Sequence, residues 1–142
     1  LMVNLKIYDL EKLIAFRHAM HENPELGFKE FQTRDNIKKF LVGAGVDPKS
    51  FKEMAVTALV VDLKGKKEPS GKDRCIALRA DMDALSMTEE NHHLPYRSKT
   101  FAAHMCGHDG HVTCLLALAM RFLDDAVNIP SNKTVRLLFQ PS

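Results

Sequence analysis

Apolar side chains recur at helical spacing between Asp9 and His21, at Leu10, Leu13, Ile14 and Met20, with Phe16 on a flank. This predicts an amphipathic helix with Asp9 as its N-cap and with Arg17 interrupting the stripe. Asn23-Pro24 ends it, because proline disfavours helical geometry in the residue before it. A second helix is predicted over Lys29 to Val42, with Ile37, Phe40 and Leu41 on one side and Gly43 and Gly45 as stop signals. Thr57 to Leu63 (TALVVDL) reads as a strand bounded by Gly65, and Cys75 to Leu78 (CIAL) as a short strand buried on both faces. Pro69-Ser70-Gly71 supplies a turn between them. Glu89 to Ala103 is polar, contains Pro95 and shows no period, so it is predicted as loop. Val112 to Leu123 (VTCLLALAMRFL) is apolar nearly all round, the pattern of a helix buried over most of its surface. After a turn at Asn128 to Asn132, Thr134 to Phe139 is a last strand. The order is helix, helix, strand, strand, loop, helix, strand. Its closing strand–helix–strand passage suits a right-handed parallel crossover. The fold class expected is α/β, layered, with a mostly parallel sheet flanked by helices.

Composition adds boundaries. The 142 residues are 45% hydrophobic and 27% charged, ordinary globular usage for one domain. Such a chain buries about 68–70% of the surface it exposes unfolded, enough for a core. Twenty Lys and Arg against 18 Asp and Glu leave a net charge of +2, too balanced for a nucleic-acid partner held by a bulk field. Lys64, Lys66, Lys67 and Lys72 cluster, but Glu68, Asp73 and turn residues sit among them, the pattern of a solvated loop. Three cysteines without a secretory signal argue against a disulfide framework. No apolar run approaches the ~18 residues of a membrane span. The expectation is a cytoplasmic protein with no membrane partner.

Two stretches carry candidate chemistry. Arg79-Ala80-Asp81-Met82-Asp83 follows the CIAL strand at its C-terminal end, where open α/β sheets bind ligands. Asp81 and Asp83 are two apart and point to one side if the chain stays extended. The bland alternative is a turn cap and a pair with Arg79. The second stretch is His104-Met105-Cys106-Gly107-His108-Asp109-Gly110-His111, with three His, one Cys and one Asp in eight residues before an apolar helix. Thiolate and neutral imidazole are good ligands for zinc and similar metals. Gly107 permits a turn that aims Cys106 and His108 at one point, and the helix N-terminus favours the thiolate of Cys106. Asp109 could hold a ligand imidazole, and Gly110 would let the helix start close to a metal. There is no C-x₂-C pair, so an open site completed from elsewhere fits better than a closed structural one. Cys75 and Cys114 read as small core residues. His92 and His93 read as surface residues, and His18 and His21 as hydrogen-bonded structural ones.

Four stretches in order, HENPELGF (His21–Phe28), RADMDAL (Arg79–Leu85), CGHDGH (Cys106–His111) and LLFQP (Leu137–Pro141), resemble the amidohydrolase branch of the aminoacylase/carboxypeptidase metallopeptidases. That branch includes hippurate hydrolase, N-acyl-amino-acid amidohydrolases and plant indoleacetyl-amino-acid hydrolases. The resemblance implies a two-metal enzyme, with zinc or manganese, that hydrolyses the amide of a small-molecule N-acyl amino acid. Cys106 and His108 match the family's metal ligands. Asp81 matches the aspartate that orients the catalytic centre. His104, Asp109, His111 and Asp83 are carried as residues that support the ligands. The family continues beyond FQP with a pair of glutamates, one the general base and the other a metal ligand. It also has later histidine ligands and a lid or dimerisation domain. Residues 1–142 would therefore be the N-terminal part of the catalytic domain, without that lid. The chain alone would be inactive and prone to associate, and the full-length protein could form a homodimer. The alternatives are a non-catalytic relative that binds metal or a partner, and a thiol or redox role for Cys106.

Overall fold

The computed structural model describes residues 7–124 and 129–142. Helix α1 spans Ile7–Glu22 and α2 spans Phe31–Gly43. A single 3₁₀ turn at Pro48–Ser50 leads into strand β1, Phe51–Met54. Strand β2 is Ala58–Lys64, β3 is Arg74–Asp81, α3 is His108–Leu123 and β4 is Lys133–Gln140. The turn expected before β4 begins at Asn128, which lies outside the described residues.

The four strands form one sheet in the order β1-β2-β4-β3. Only β3 and β4 run parallel, joined through α3; β1–β2 and β2–β4 are antiparallel. The α/β class holds, but the sheet is mixed rather than mostly parallel. The reason lies partly in β1, which carries no turn signal in the sequence. Its hairpin with β2 turns through Ala55 and Val56, both at positive φ (44° and 68°), where Gly or Asn would be usual.

The core follows from register. Leu59, Val61 and Leu63 of β2 stand opposite Phe139, Leu137 and Val135 of β4, so alternate residues of both strands share one buried face. Asp62 and Arg136, opposite each other between these positions, form a two-pronged ion pair with N–O distances of 2.7 and 2.8 Å. Val112, Leu115, Leu116 and Ala119 of α3 join the same core, as do Leu13 and Met20 of α1 and Ile37 and Leu41 of α2. α3 packs on β3, and α1 and α2 pack on α3.

Several expectations of burial are corrected. Leu10 and Ile14 of α1 are about half exposed, because the stripe facing the core runs through Leu13, Phe16, Met20 and His21 instead. Asp9 lies within the first turn of α1 rather than capping it. β3 is the edge of the described sheet, and its CIAL stretch is largely exposed, Ile76 by 63%. Cys75 and Cys114 are exposed, not core residues. α3 is buried along one face only, with Cys114 and Leu118 open to solvent on the other.

The HENPELGF stretch anchors the layer next to the sheet. Both carboxylate oxygens of Glu25 accept hydrogen bonds at the start of α2, from the backbone N–H of Gln32 (3.1 Å) and Thr33 (2.7 Å). They satisfy two of the donors that a helix start leaves without partners. Gly27 lies so close to Ser142 that a Cβ would stand 2.4 Å from its Cβ. Beyond β3, the backbone of Ala84 bonds to Glu25 and that of Leu85 to Ala103, so the RADMDAL segment is held from both sides.

Two outcomes follow. Glu25→Ala removes the cap and is expected to cost about 1 kcal/mol in urea unfolding, with an unchanged m-value; no loss would mean that water replaces the carboxylate. The 142-residue chain on its own should self-associate through the open β3 edge and its apolar neighbours. Ile76→Lys should then shift size-exclusion elution toward monomer, and a monomeric parent chain would contradict this.

Candidate metal centre

Two elements deliver the candidate residues. β3 ends at Asp81, and the chain stays extended through Met82, which is fully buried, so Asp81 and Asp83 face the opposite side together. α3 starts at His108, directly after Gly107, whose φ of +82° is a left-handed conformation natural to glycine. The helix begins earlier than the apolar pattern predicts, so His108, Asp109 and His111 lie in its first turn. His108 and His111, three apart, share a face, and their rings stack with centroids 5.5 Å apart.

These residues converge. His111 Nδ1 lies 2.6 Å from Asp81 Oδ1, and His108 Nε2 lies 3.6 Å from Asp81 Oδ2. His108 Nδ1 donates to Asp83, to both its backbone carbonyl (2.9 Å) and its Oδ1 (3.0 Å). That bond fixes the ring and leaves Nε2 turned toward Asp81, the arrangement by which a carboxylate orients a ligating imidazole. Asp81, His108 and His111 each offer one ligand atom, all within 4.8 Å of one another. Arg79 also reaches Asp81 Oδ2, at 3.5 Å, the ion pair expected as the alternative. Burial alone would raise the pKa of Asp81, but the His111 hydrogen bond and the nearby His108 bring it below the ordinary carboxylate value. A carboxylate between two imidazoles suits a divalent transition metal. A shallow cleft of about 370 Å³, lined by Leu78, Arg79, Asp81, His111, Cys114, Leu115 and Leu118, opens beside it.

Cys106 is exposed and stands outside this three-residue group. A Cβ at Gly110 would meet no protein atom within 4 Å. His104 is buried, with neither ring nitrogen hydrogen-bonded. Burial holds it neutral, with a pKa of about 4.

Asp109 points away from the cluster, into a buried polar network. Its Oδ2 accepts from Arg17 Nε (3.1 Å) and His21 Nδ1 (3.0 Å). His21 Nε2 in turn lies 3.1 Å from Oε1 of Glu89, which has no exposed surface. Glu89 also accepts from the backbone N–H of Ser98 (2.7 Å) and from Asn91 Nδ2 (3.1 Å). His21 thus has the structural, hydrogen-bonded role expected. His18 stacks on Tyr96, and His92 and His93 are at the surface. The pattern did not reveal Glu89, which reads as one more acid in a polar loop. His21 did leave a trace: it lies on the stripe that α1 buries, four residues after Arg17.

Residues 77–142 match the model of peptidase family M20/M25/M40. The chain is 40% identical over 139 residues to the hippurate hydrolase of Campylobacter jejuni, covering 96% of this chain and 33% of that protein. It is 39% identical over 137 residues to an uncharacterized hydrolase of Staphylococcus aureus, covering 94% of this chain and 33% of that one. The Bacillus subtilis YXEP protein, described as a dinuclear metal binding peptidase from the M20 family, superposes with a TM-score of 0.77. That match has 31% identity over 93% of this chain and 35% of the other. The chain is thus similar to the M20 family, in sequence over residues 77–142 and in fold over nearly its whole length. It spans about a third of the length of the curated relatives it matches. The M20 segment matched directly, 77–142, holds β3, α3, β4 and every residue of the candidate centre. No described helix is long and apolar enough to cross a membrane.

The network has a pH signature. Burial would lower the pKa of His21, but hydrogen bonds to Glu89 and Asp109 outweigh it and raise the value above the ordinary 6.5. A raised folded pKa means that the native state keeps a proton the unfolded state releases. The stabilisation is full below pH 6.5 and is lost as pH rises through the folded pKa. In chelator-treated protein, the melting temperature should fall on this alkaline side. His21→Gln should abolish that part of the slope, and equal slopes in the two proteins would refute a charged His21.

Proposed function

We propose that this chain belongs to the M20 family and is part of a metal-dependent hydrolase that cleaves the amide bond of small N-acyl amino acids. The observation that carries the proposal is the convergence of Asp81, His108 and His111 at the C-terminal end of β3, with Asp83 fixing the His108 ring. The name of the Campylobacter relative, hippurate hydrolase, supports an N-acyl amino acid as the substrate class. On this reading residues 1–142 are the N-terminal part of the catalytic domain.

His108 and Cys106 are the proposed metal ligands, with Asp81 and His111 beside them. Two divalent ions, zinc or manganese, would polarise the scissile carbonyl and lower the pKa of a bound water toward ~7. The chain's own residues prepare that site. Asp83 holds His108 in one tautomer by accepting from Nδ1, which leaves Nε2 with its lone pair directed at the cluster. Asp81 stays ionised between the two imidazoles and orients them. Asp81 is so engaged with His108, His111 and Arg79 that it is a poor general base. That task falls to a carboxylate further along the full-length chain, which accepts the water proton and delivers it to the leaving amine.

In the full-length protein, chelation should abolish hydrolysis of hippurate, and zinc or manganese should restore it. His108→Ala should lower kcat/KM at least 100-fold, while residues 1–142 alone should show no turnover. Hydrolysis that survives both chelation and His108→Ala would sink the proposal. The exposed Cys106 allows a direct check of its role: zinc should slow its alkylation if it ligates, and leave it unchanged if its role is thiol chemistry.

A further inference from the structure

The first turn of α3 must present two imidazoles to Asp81, yet little in its own sequence holds it in place. Its N-cap is Gly107, with no side chain to cap the helix, and Gly110 lies inside the turn. Asp109 lies between them and is almost fully buried. Successive helical residues are about 100° apart, so Asp109 leaves the helix on a different side from His108 and His111. Its carboxylate meets α1, through Arg17 and His21. His21 is anchored from behind by Glu89, itself held by Ser98 and Asn91 of the loop between β3 and α3. The chain Glu89–His21–Asp109 therefore ties the helix that carries two site imidazoles to α1 and to that loop.

We propose that His21 is a positioning residue for the metal centre: by bridging Glu89 and Asp109 it fixes the rotation of the first turn of α3 and so aims His108 and His111 at Asp81. The inference rests on the metal reading above and adds to it a residue on α1, remote in sequence, that touches neither metal nor substrate. It acts only through Asp109. Arg17 shares the same carboxylate oxygen but is half exposed, so it cannot replace a buried bridge.

The test is Co²⁺ titration of the full-length protein, read by affinity and by the visible d–d spectrum. His21→Gln keeps a polar side chain of similar length but cannot span two carboxylates. It should weaken Co²⁺ binding about 10- to 100-fold and alter the spectrum. Glu89→Gln, a milder change one step further away, should do the same to a smaller extent. Because His21 acts through Asp109, the double variant His21→Gln/Asp109→Asn should bind no more weakly than the weaker single variant. Leu41→Ala, in the core on α2, controls for stability: it should lower the melting temperature but leave Co²⁺ affinity and spectrum unchanged. Wild-type affinity and spectrum in both His21→Gln and Glu89→Gln would overturn the inference, as would fully additive losses in the double variant. Absence of Co²⁺ binding by the wild-type protein would overturn the metal reading itself, and this inference with it.

Discussion

A single imidazole between two buried carboxylates sets the arrangement on which the candidate site depends. Two acids in a low-dielectric interior repel each other and lose their hydration, and neither cost is recovered without a cation between them. His21 supplies that cation with both nitrogens engaged, and Arg17 adds a second charge at the edge. Breaking such a buried arrangement typically costs about 3–5 kcal/mol. The same arrangement joins three segments far apart in sequence: α1, the loop after β3 and the start of α3. Apolar packing alone would let α3 slide or rotate slightly, because dispersion contacts are non-directional. Hydrogen bonds from one ring to two carboxylates are not.

The sheet supplies the other half of the geometry. β3 pairs with β4 along its whole length, so Asp81 is level with Gln140 and its height above the core is set by register. The parallel β3–β4 pairing places α3 as the crossover, and its N-terminus comes back toward the end of β3. Asp81 arrives on the strand and His108 and His111 arrive on the helix. A shift of one residue in β3 would exchange Met82 with Asp81 or Asp83 and turn the carboxylates into the core. The fully buried Met82 thus helps to pin the two acids that flank it.

The sequence made the helices, β2, β4 and the clustered chemistry legible, because periodicity and local density need no tertiary knowledge. It misplaced what depends on neighbours. Four continuous apolar residues at Cys75 to Leu78 read as a doubly covered strand, yet the strand order leaves β3 at an edge with Ile76 open. Apolar residues nearly all round α3 likewise read as burial over most of its surface, while the packing covers only the face through Val112, Leu115, Leu116 and Ala119. β1 was invisible because its hairpin turns through Ala55 and Val56, residues that normally avoid positive φ. At the site, Asp83 was named as a support for the ligands, and its carboxylate lies 3.0 Å from His108 Nδ1. Glu89 was missed because an acid in a loop has no period, and only its partner His21 marks it as buried.

The division of labour among the acids follows from solvent. Asp81 and Asp83 are partly exposed at the end of a strand, where a carboxylate can meet an incoming cation. Glu89 and Asp109 are sealed, and their charges are spent on His21 and Arg17 rather than on a ligand. His104 sits between these two zones, too buried to hold a proton, and so adds no further positive charge beside His108. The cluster that faces solvent therefore leaves its carboxylates within reach of a cation, while the carboxylates of the buried network behind it are held by His21 and Arg17. Separating the two sets of carboxylates keeps Asp81 and Asp83 open to a cation while Glu89 and Asp109 meet His21 and Arg17 behind them.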